Sequence, residues 1–185
     1  NYSNGGVSMS TLKVNQLQDT SGNVLPFGIK NVDQWSITSN SSINGESTIV
    51  ANWARYSTVA SASSSIGTIG SGMSESSGIF TFPTAGMYQV FFNFMYRGNG
   101  GRTYIGQRQA ISTDSGSNFT TATTNYSNGY MNTAYSSVTS LMTYDVTDAS
   151  SFRIKFIVNV SDTGDLQGSS GTIYTGAIFT RVGDT

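Results

Sequence analysis

Between Met87 and Tyr96 the chain alternates so that Tyr88, Val90, Phe92, Phe94 and Tyr96 fall on one side of an extended strand. Phe91 and Met95 place further apolar surface on the opposite side. A strand with one solvated face alternates apolar with polar residues, so this excess predicts that its second face is covered, by the same chain or by a neighbouring subunit. Tyr88, Phe91 and Met95 are the candidate subunit-interface residues.

Similar short runs recur along the chain. Strands are predicted over Asp33 to Thr38, Thr48 to Tyr56, Gly78 to Phe82, Met87 to Tyr96, Thr103 to Ile111, Ser136 to Val146, Ser151 to Val160 and Thr172 to Val182. Between them lie spacers rich in Gly, Ser, Asn and Asp: Asn40 to Glu46, Ser61 to Ser77, Arg97 to Arg102, Thr113 to Asn132, Asp145 to Ser150 and Ser161 to Gly171. In Ser151 to Val160, Phe152, Ile154, Phe156, Val158 and Val160 share one face, while Arg153, Lys155 and Asn159 face the other way with Ile157. That strand has one core face and one largely solvated face. Between Phe82 and Met87 a reversal is forced, because Pro83 has no N–H for a ladder and Gly86 can take the positive φ of a turn. Eight or more short strands in one domain predict an all-β fold of two antiparallel sheets, a sandwich or a jelly roll, over residues 32–185.

Residues 1–31 differ in character: polar, turn-rich, and with few residues to bury, among them Leu12, Val14 and Leu17. They read as an extended N-terminal arm. Leu12, Val14 and Leu17 are the candidate anchors if the arm docks on another protein by adding a strand or inserting side chains. The alternative is a loose terminus.

Composition narrows the function. Charged residues make up 10% of the chain against roughly 25% in ordinary soluble proteins, with a formal net charge of −1. Six arginines and three lysines lie scattered, so no basic field exists to track a phosphate backbone and nucleic acid is not an expected partner. No apolar run approaches the roughly 18 residues of a membrane span, and the start lacks a basic and then apolar leader, so a soluble chain without membrane contact is expected. With 0 His and 0 Cys, Ser-His-Asp and Cys-His nucleophile systems and the commonest zinc sites are excluded. A glycosidase would need two carboxylates facing each other across a cleft, whereas Asp and Glu here are scattered in predicted loops. Asp162-Thr163-Gly164-Asp165 lacks the ligand spacing of an EF-hand and reads as an Asp/Gly turn, and Gly98-Asn99-Gly100-Gly101 reads as a hairpin turn. No catalytic residue, metal or cofactor is expected.

One predicted loop carries recognition chemistry. Asn118 to Tyr135 sets Phe119, Tyr126, Tyr130 and Tyr135 among Asn, Thr, Ser and Gly, offering stacking faces and amide hydrogen bonds of the kind a sugar site uses, with Phe119, Tyr126 and Tyr130 the candidate ligand residues. The commoner fate of such aromatics is to pack the loop onto the domain or at a seam between subunits.

Two resemblances add to this reading. Met9-Ser10-Thr11-Leu12-Lys13-Val14-Asn15-Gln16-Leu17-Gln18-Asp19-Thr20-Ser21-Gly22-Asn23 resembles the opening of tail-fibre and other structural proteins of marine tailed bacteriophages, cyanophages in particular, where a Ser-Thr-Leu-Lys-Val start runs into a polar Thr/Ser/Gly stretch. It implies a virion component. The series Trp53, Ile66-Gly67, Gly78-Ile79-Phe80-Thr81-Phe82-Pro83-Thr84-Ala85-Gly86-Met87-Tyr88, Leu141 to Val146 and Thr175 to Phe179 resembles the complement globular-head and tumour-necrosis-factor jelly roll. That superfamily places a Gly-x-Phe-x-Phe-Pro-x-x-Gly-x-Tyr corner between two core strands and forms compact homotrimers. The chain departs from it at Asp148-Ala149, where the family carries Gly-Asp.

With no shaft repeat, heptad or β-helix pattern, a long fibre is not expected. The expectation is a non-enzymatic, homotrimeric virion structural protein on the particle exterior. It would be a capsid decoration or short-appendage tip fastened to other virion proteins by its arm. The alternative is a module that binds a host receptor or surface glycan during adsorption.

Overall fold

Inward aliphatic and aromatic residues alternating with Ser, Thr and Asn can be buried on one side only by extended chain, and pairing such strands satisfies their backbone groups. The computed structural model describes residues 29–56, 68–99, 104–128 and 133–185. Among them are eleven strands: β1 (Asn31–Ile37), β2 (Ser41–Thr48), β3 (Trp53–Arg55), β4 (Ser74–Ser76), β5 (Ile79–Thr81), β6 (Gly86–Gly98), β7 (Tyr104–Ser112), β8 (Thr120–Asn128), β9 (Tyr135–Val146), β10 (Arg153–Leu166) and β11 (Gly176–Gly183).

All pairings are antiparallel, and they form two walls. One wall runs β3–β1–β11–β6–β9. The other runs β8–β7–β10, with the far edge of β10 shared by β5, opposite Arg153 to Lys155, and β2, opposite Ile157 to Leu166; β4 lies beyond β5. Gly164 to Leu166 of β10 cross over to pair with Tyr96 to Gly98 of β6, so the walls share one hydrogen-bonded network. The predicted all-β jelly roll is the observed architecture.

The inner face of β6 is the alternation expected: Tyr88, Val90, Phe92, Phe94 and Tyr96 are each no more than 1% exposed. Ile154, Phe156, Val158 and Val160 meet them from β10, and Phe92 stacks on Phe156 with ring centroids 4.3 Å apart. Phe80 bridges the layers, its centroid 5.1 Å from those of both Trp53 and Phe179. At the Pro83 corner, Tyr88 lies edge-on to Phe82 at 4.7 Å and its hydroxyl donates to the Thr84 carbonyl at 3.0 Å. Gly86 has φ +145°, and a Cβ there would lie 2.7 Å from the Gly183 carbonyl oxygen, so the reversal needs glycine.

Several predicted boundaries change. Asn40 to Glu46 is not a spacer but most of β2, in which Ile43 is buried and the remainder is held by backbone pairing to β10. Thr120–Asn128, inside the predicted Thr113 to Asn132 loop, is β8; its threonines are β-branched and fit an extended, half-exposed strand without apolar alternation. The run predicted over Thr48 to Tyr56 shrinks to β3 because Asn52, at φ +65°, interrupts it. Asp162 to Asp165 is not a turn between elements but lies inside β10, at an irregularity where its pairing with β2 jumps from Val160 to Gly164.

Candidate functional site

Because directly paired residues in an antiparallel ladder share a face, the register defines the outer surface of the first wall. One row reads Gln34, Ile178, Phe91, Leu141 across β1, β11, β6 and β9. Beside it, Met95 pairs with Ser137 and Arg97 with Tyr135, the guanidinium lying 5.9 Å from the tyrosine ring centroid. Phe91 and Met95 are half-buried, whereas Leu141 and Tyr135 are each 58% exposed. The Met95 backbone N–H donates to Thr175 Oγ1 at 3.1 Å. Tyr88, grouped with Phe91 and Met95 as an interface candidate, is corrected: it is 0% exposed inside one chain and faces the core. Leu141 and Ile178 belong to this face and were missed, because their apposition to Phe91 depends on register between strands far apart in sequence.

No protein-family model matches the sequence, and no curated protein matches it. Solved structures do match. Murine APRIL at pH 8.5 superposes on 82% of this chain and 98% of its own length, with a TM-score of 0.56 and 14% identity. Eiger TNF from S. frugiperda covers 83% of this chain and 93% of its own, with a TM-score of 0.61 and 10% identity. The fold is a tumour-necrosis-factor-like jelly roll. At these identities the likeness establishes architecture alone, and it agrees with the Pro83–Gly86 corner from which the resemblance was drawn.

The candidate ligand residues do not converge. Tyr126 sits on strand β8 rather than in a loop, and Phe119 immediately precedes the same strand. About 20 Å separates them at roughly 3.3 Å per residue. Phe119 lies under the Lys155 ammonium, 4.3 Å from its ring centroid. Tyr130, like Leu12, Val14 and Leu17, lies outside the described residues.

Tyr126 has other company. On the outer face of the second wall, Glu46 of β2, Asn159 of β10, Gly106 of β7 and Tyr126 of β8 stand in one register row. A Cβ on Gly106 would come within 2.4 Å of the Tyr126 ring, so the glycine lets the ring lie down on the strand beside it. Tyr104 meets Tyr126 edge-to-face at 5.4 Å. Arg108 donates to the Tyr126 hydroxyl at 3.4 Å and forms an ion pair with Glu46. The hydrogen bond with Tyr126, aided by the charge of Glu46, raises the Arg108 guanidinium above its ordinary value. Tyr104, Arg108 and Glu46 carry no distinguishing motif; only the pairings of β8 with β7, β7 with β10 and β10 with β2 gather them around Tyr126.

The carboxylates are mostly engaged elsewhere. Asp33 is 0% exposed and accepts from Trp35 Nε1 at 2.8 Å, Met73 N at 2.7 Å and Arg55 Nε at 2.8 Å. Asp114 accepts from the Ser112 hydroxyl and from Asn118, which hold it down at about 2. Asp148 is lowered by the Ser150 and Ser151 hydroxyls. No group of three or more His, Cys, Asp or Glu able to hold a metal occurs among the described residues.

Proposed function

We propose that this chain is a non-enzymatic structural protein of a bacteriophage particle, a homotrimer on the particle exterior that serves as a decoration or short-appendage tip and is fastened by residues 1–31. The observation that carries the self-association is the outer row Ile178, Phe91, Leu141 in a chain only 10% charged. Directly opposed apolar residues on an unpaired sheet face are what a second copy would bury. The trimer is the form the jelly-roll resemblance implies. The virion assignment rests on Met9 to Asn23.

Chain geometry suits an arm that leaves from one end. Lys30 pairs with Asp184 at 3.1 Å, and Arg181 Nε donates to the Ala85 carbonyl at 2.9 Å, so the segment leading into β1 sits beside the Pro83–Gly86 corner and the last residues. The deciding experiment has two readings. Antibody-labelled electron microscopy should place the protein on the outside of intact particles. Particles lacking the protein should bind the full chain and not a chain without residues 1–23. Labelling absent from particles, or equal binding by the shortened chain, would overturn the assignment.

A further inference from the structure

We propose that the outer face of β2, β10, β7 and β8 carries a binding site for a neutral saccharide, with Tyr126 as its floor, Tyr104 as its wall and the Glu46–Arg108 pair as its hydroxyl-binding fork. The site is separate from the self-association face and does not rest on the virion assignment.

Most aromatic side chains of the described residues fill the core, yet Tyr126 is 53% and Tyr104 36% exposed. Tyr126 is nonetheless held: it lies along Gly106, takes a hydrogen bond from Arg108 and packs edge-to-face with Tyr104. A fixed ring loses little conformational freedom when a ligand stacks on it. A pyranose fits that surface because one side of the ring presents weakly positive C–H groups to the negative face of an aromatic ring. Its rim hydroxyls need donors and acceptors. The Glu46 carboxylate, 48% exposed, accepts them; Asn159, half-buried between Glu46 and Gly106 in the same row, can both donate and accept.

Charge selects among sugars. Arg108 is already paired with Glu46, so the patch has no net positive field to draw a sulfate, phosphate or uronate. Tyr104 and Tyr126 lie towards the end of the fold away from the segment that enters β1. β6 starts beside the segment that enters β1 and ends at Gly98, which pairs with Gly164 near the end of β10; Tyr104 and Asn128, opposite each other at the start of β7 and the end of β8, lie towards that far end.

The test uses the full chain on an array of neutral, uronate-containing and sulfated oligosaccharides, followed by calorimetric titration with the best neutral binder. Neutral saccharides should bind. Tyr126→Ala should weaken binding by about tenfold or more, and Tyr126→Phe, which keeps the ring, should stay within about threefold of the parent. Because Tyr126→Ala also uncovers Gly106, a second reading maps amide shifts on the unmutated protein, which should concentrate at Tyr104, Gly106, Tyr126 and Asn159. Binding to no array sugar, binding only to sulfated sugars with loss at high salt, shifts located elsewhere, or full affinity in Tyr126→Ala would each overturn the site.

Discussion

Phe91 and Leu141 stand directly opposite each other on the outer face of the β6–β9 ladder, and Leu141 is 58% exposed. A matched apolar pair with one partner largely in water marks where a second copy would gain most from burial, about 25 cal/mol per Å² of apolar area. Light scattering after gel filtration should find the parent chain trimeric. A Phe91→Asp, Leu141→Asp variant should remain folded by circular dichroism and run at the mass of one chain. Thr124→Asp, on the outer face of the other wall, should leave the trimer intact. A trimeric double variant means the wrong face has been assigned, and a monomeric parent overturns the self-association itself.

Asp33 joins three segments at once: Trp35 on its own strand, Arg55 on β3, and the Met73 backbone ahead of β4. Removing this buried carboxylate takes the acceptor from Trp35 Nε1 and the Met73 N–H and the ion pair from Arg55, which keeps its hydrogen bond to the Met73 carbonyl, and breaking such a pair typically costs about 3–5 kcal/mol. The Arg55 side chain is 33% exposed, so water can recover part of its share and the lower end applies. Asp33→Ala should lower the unfolding free energy in urea by about 3 kcal/mol. A loss under about 1 kcal/mol would show that Asp33 is not the tie among these segments.

Across the sandwich, Tyr144 of β9 donates its hydroxyl to Gln109 Oε1 of β7 at 2.9 Å, while Gln109 Nε2 donates to Ser140 Oγ at 2.8 Å and to the Val90 carbonyl at 3.2 Å. This polar clasp lies inside an apolar core, where a missing partner is expensive. Tyr144→Phe strands Gln109 Oε1 and should cost about 1–3 kcal/mol. Burial also pushes the Tyr144 phenol above its ordinary range. In an alkaline absorbance titration, deleting it should therefore remove a late-ionising tyrosine and leave the early ones in place. Loss of an early one would place Tyr144 in water.

The difference between what was readable and what was not lies in side-chain pattern against backbone pairing. The alternation at Tyr88 to Tyr96 and the break at Pro83 to Gly86 are local and physical, so β6 and the corner before it could be read directly. β8 could not, because Thr120–Asn128 offers only Ala122 and Tyr126 as apolar residues and owes its extension to β7. The same limit hid the outer surfaces. Phe91 was legible as excess apolar surface, but Ile178 and Leu141 are 87 and 50 residues away in sequence (178 − 91 and 141 − 91) and reach it only through register. Tyr126 was legible as an aromatic in a polar stretch. Its partners Tyr104, Arg108 and Glu46 are ordinary residues until three strand pairings bring them together.

Acid offers a local test of the loop between β7 and β8. Asp114 accepts hydrogen bonds from Ser112 Oγ at 2.6 Å, Asn118 N at 2.9 Å and Asn118 Nδ2 at 2.7 Å, and these lower its carboxyl to about 2 from 3.8. A carboxyl lowered by folding contributes stability that is complete above its unfolded value and is lost as pH falls through the folded one. The loop should therefore keep its form at pH 4 and open only as the pH nears 2. Phe119, which follows Asn118 in the chain, reports the opening, since its ring lies 4.3 Å from Lys155 Nζ. Followed by the Asp114 carboxyl carbon in an NMR titration, the midpoint should fall near 2, and Ser112→Ala, which removes the largest contribution, should move it towards 3.8. A midpoint near 3.8 in the parent chain would mean that Ser112 and Asn118 do not hold the carboxylate in solution, and the anchored loop would have to be abandoned.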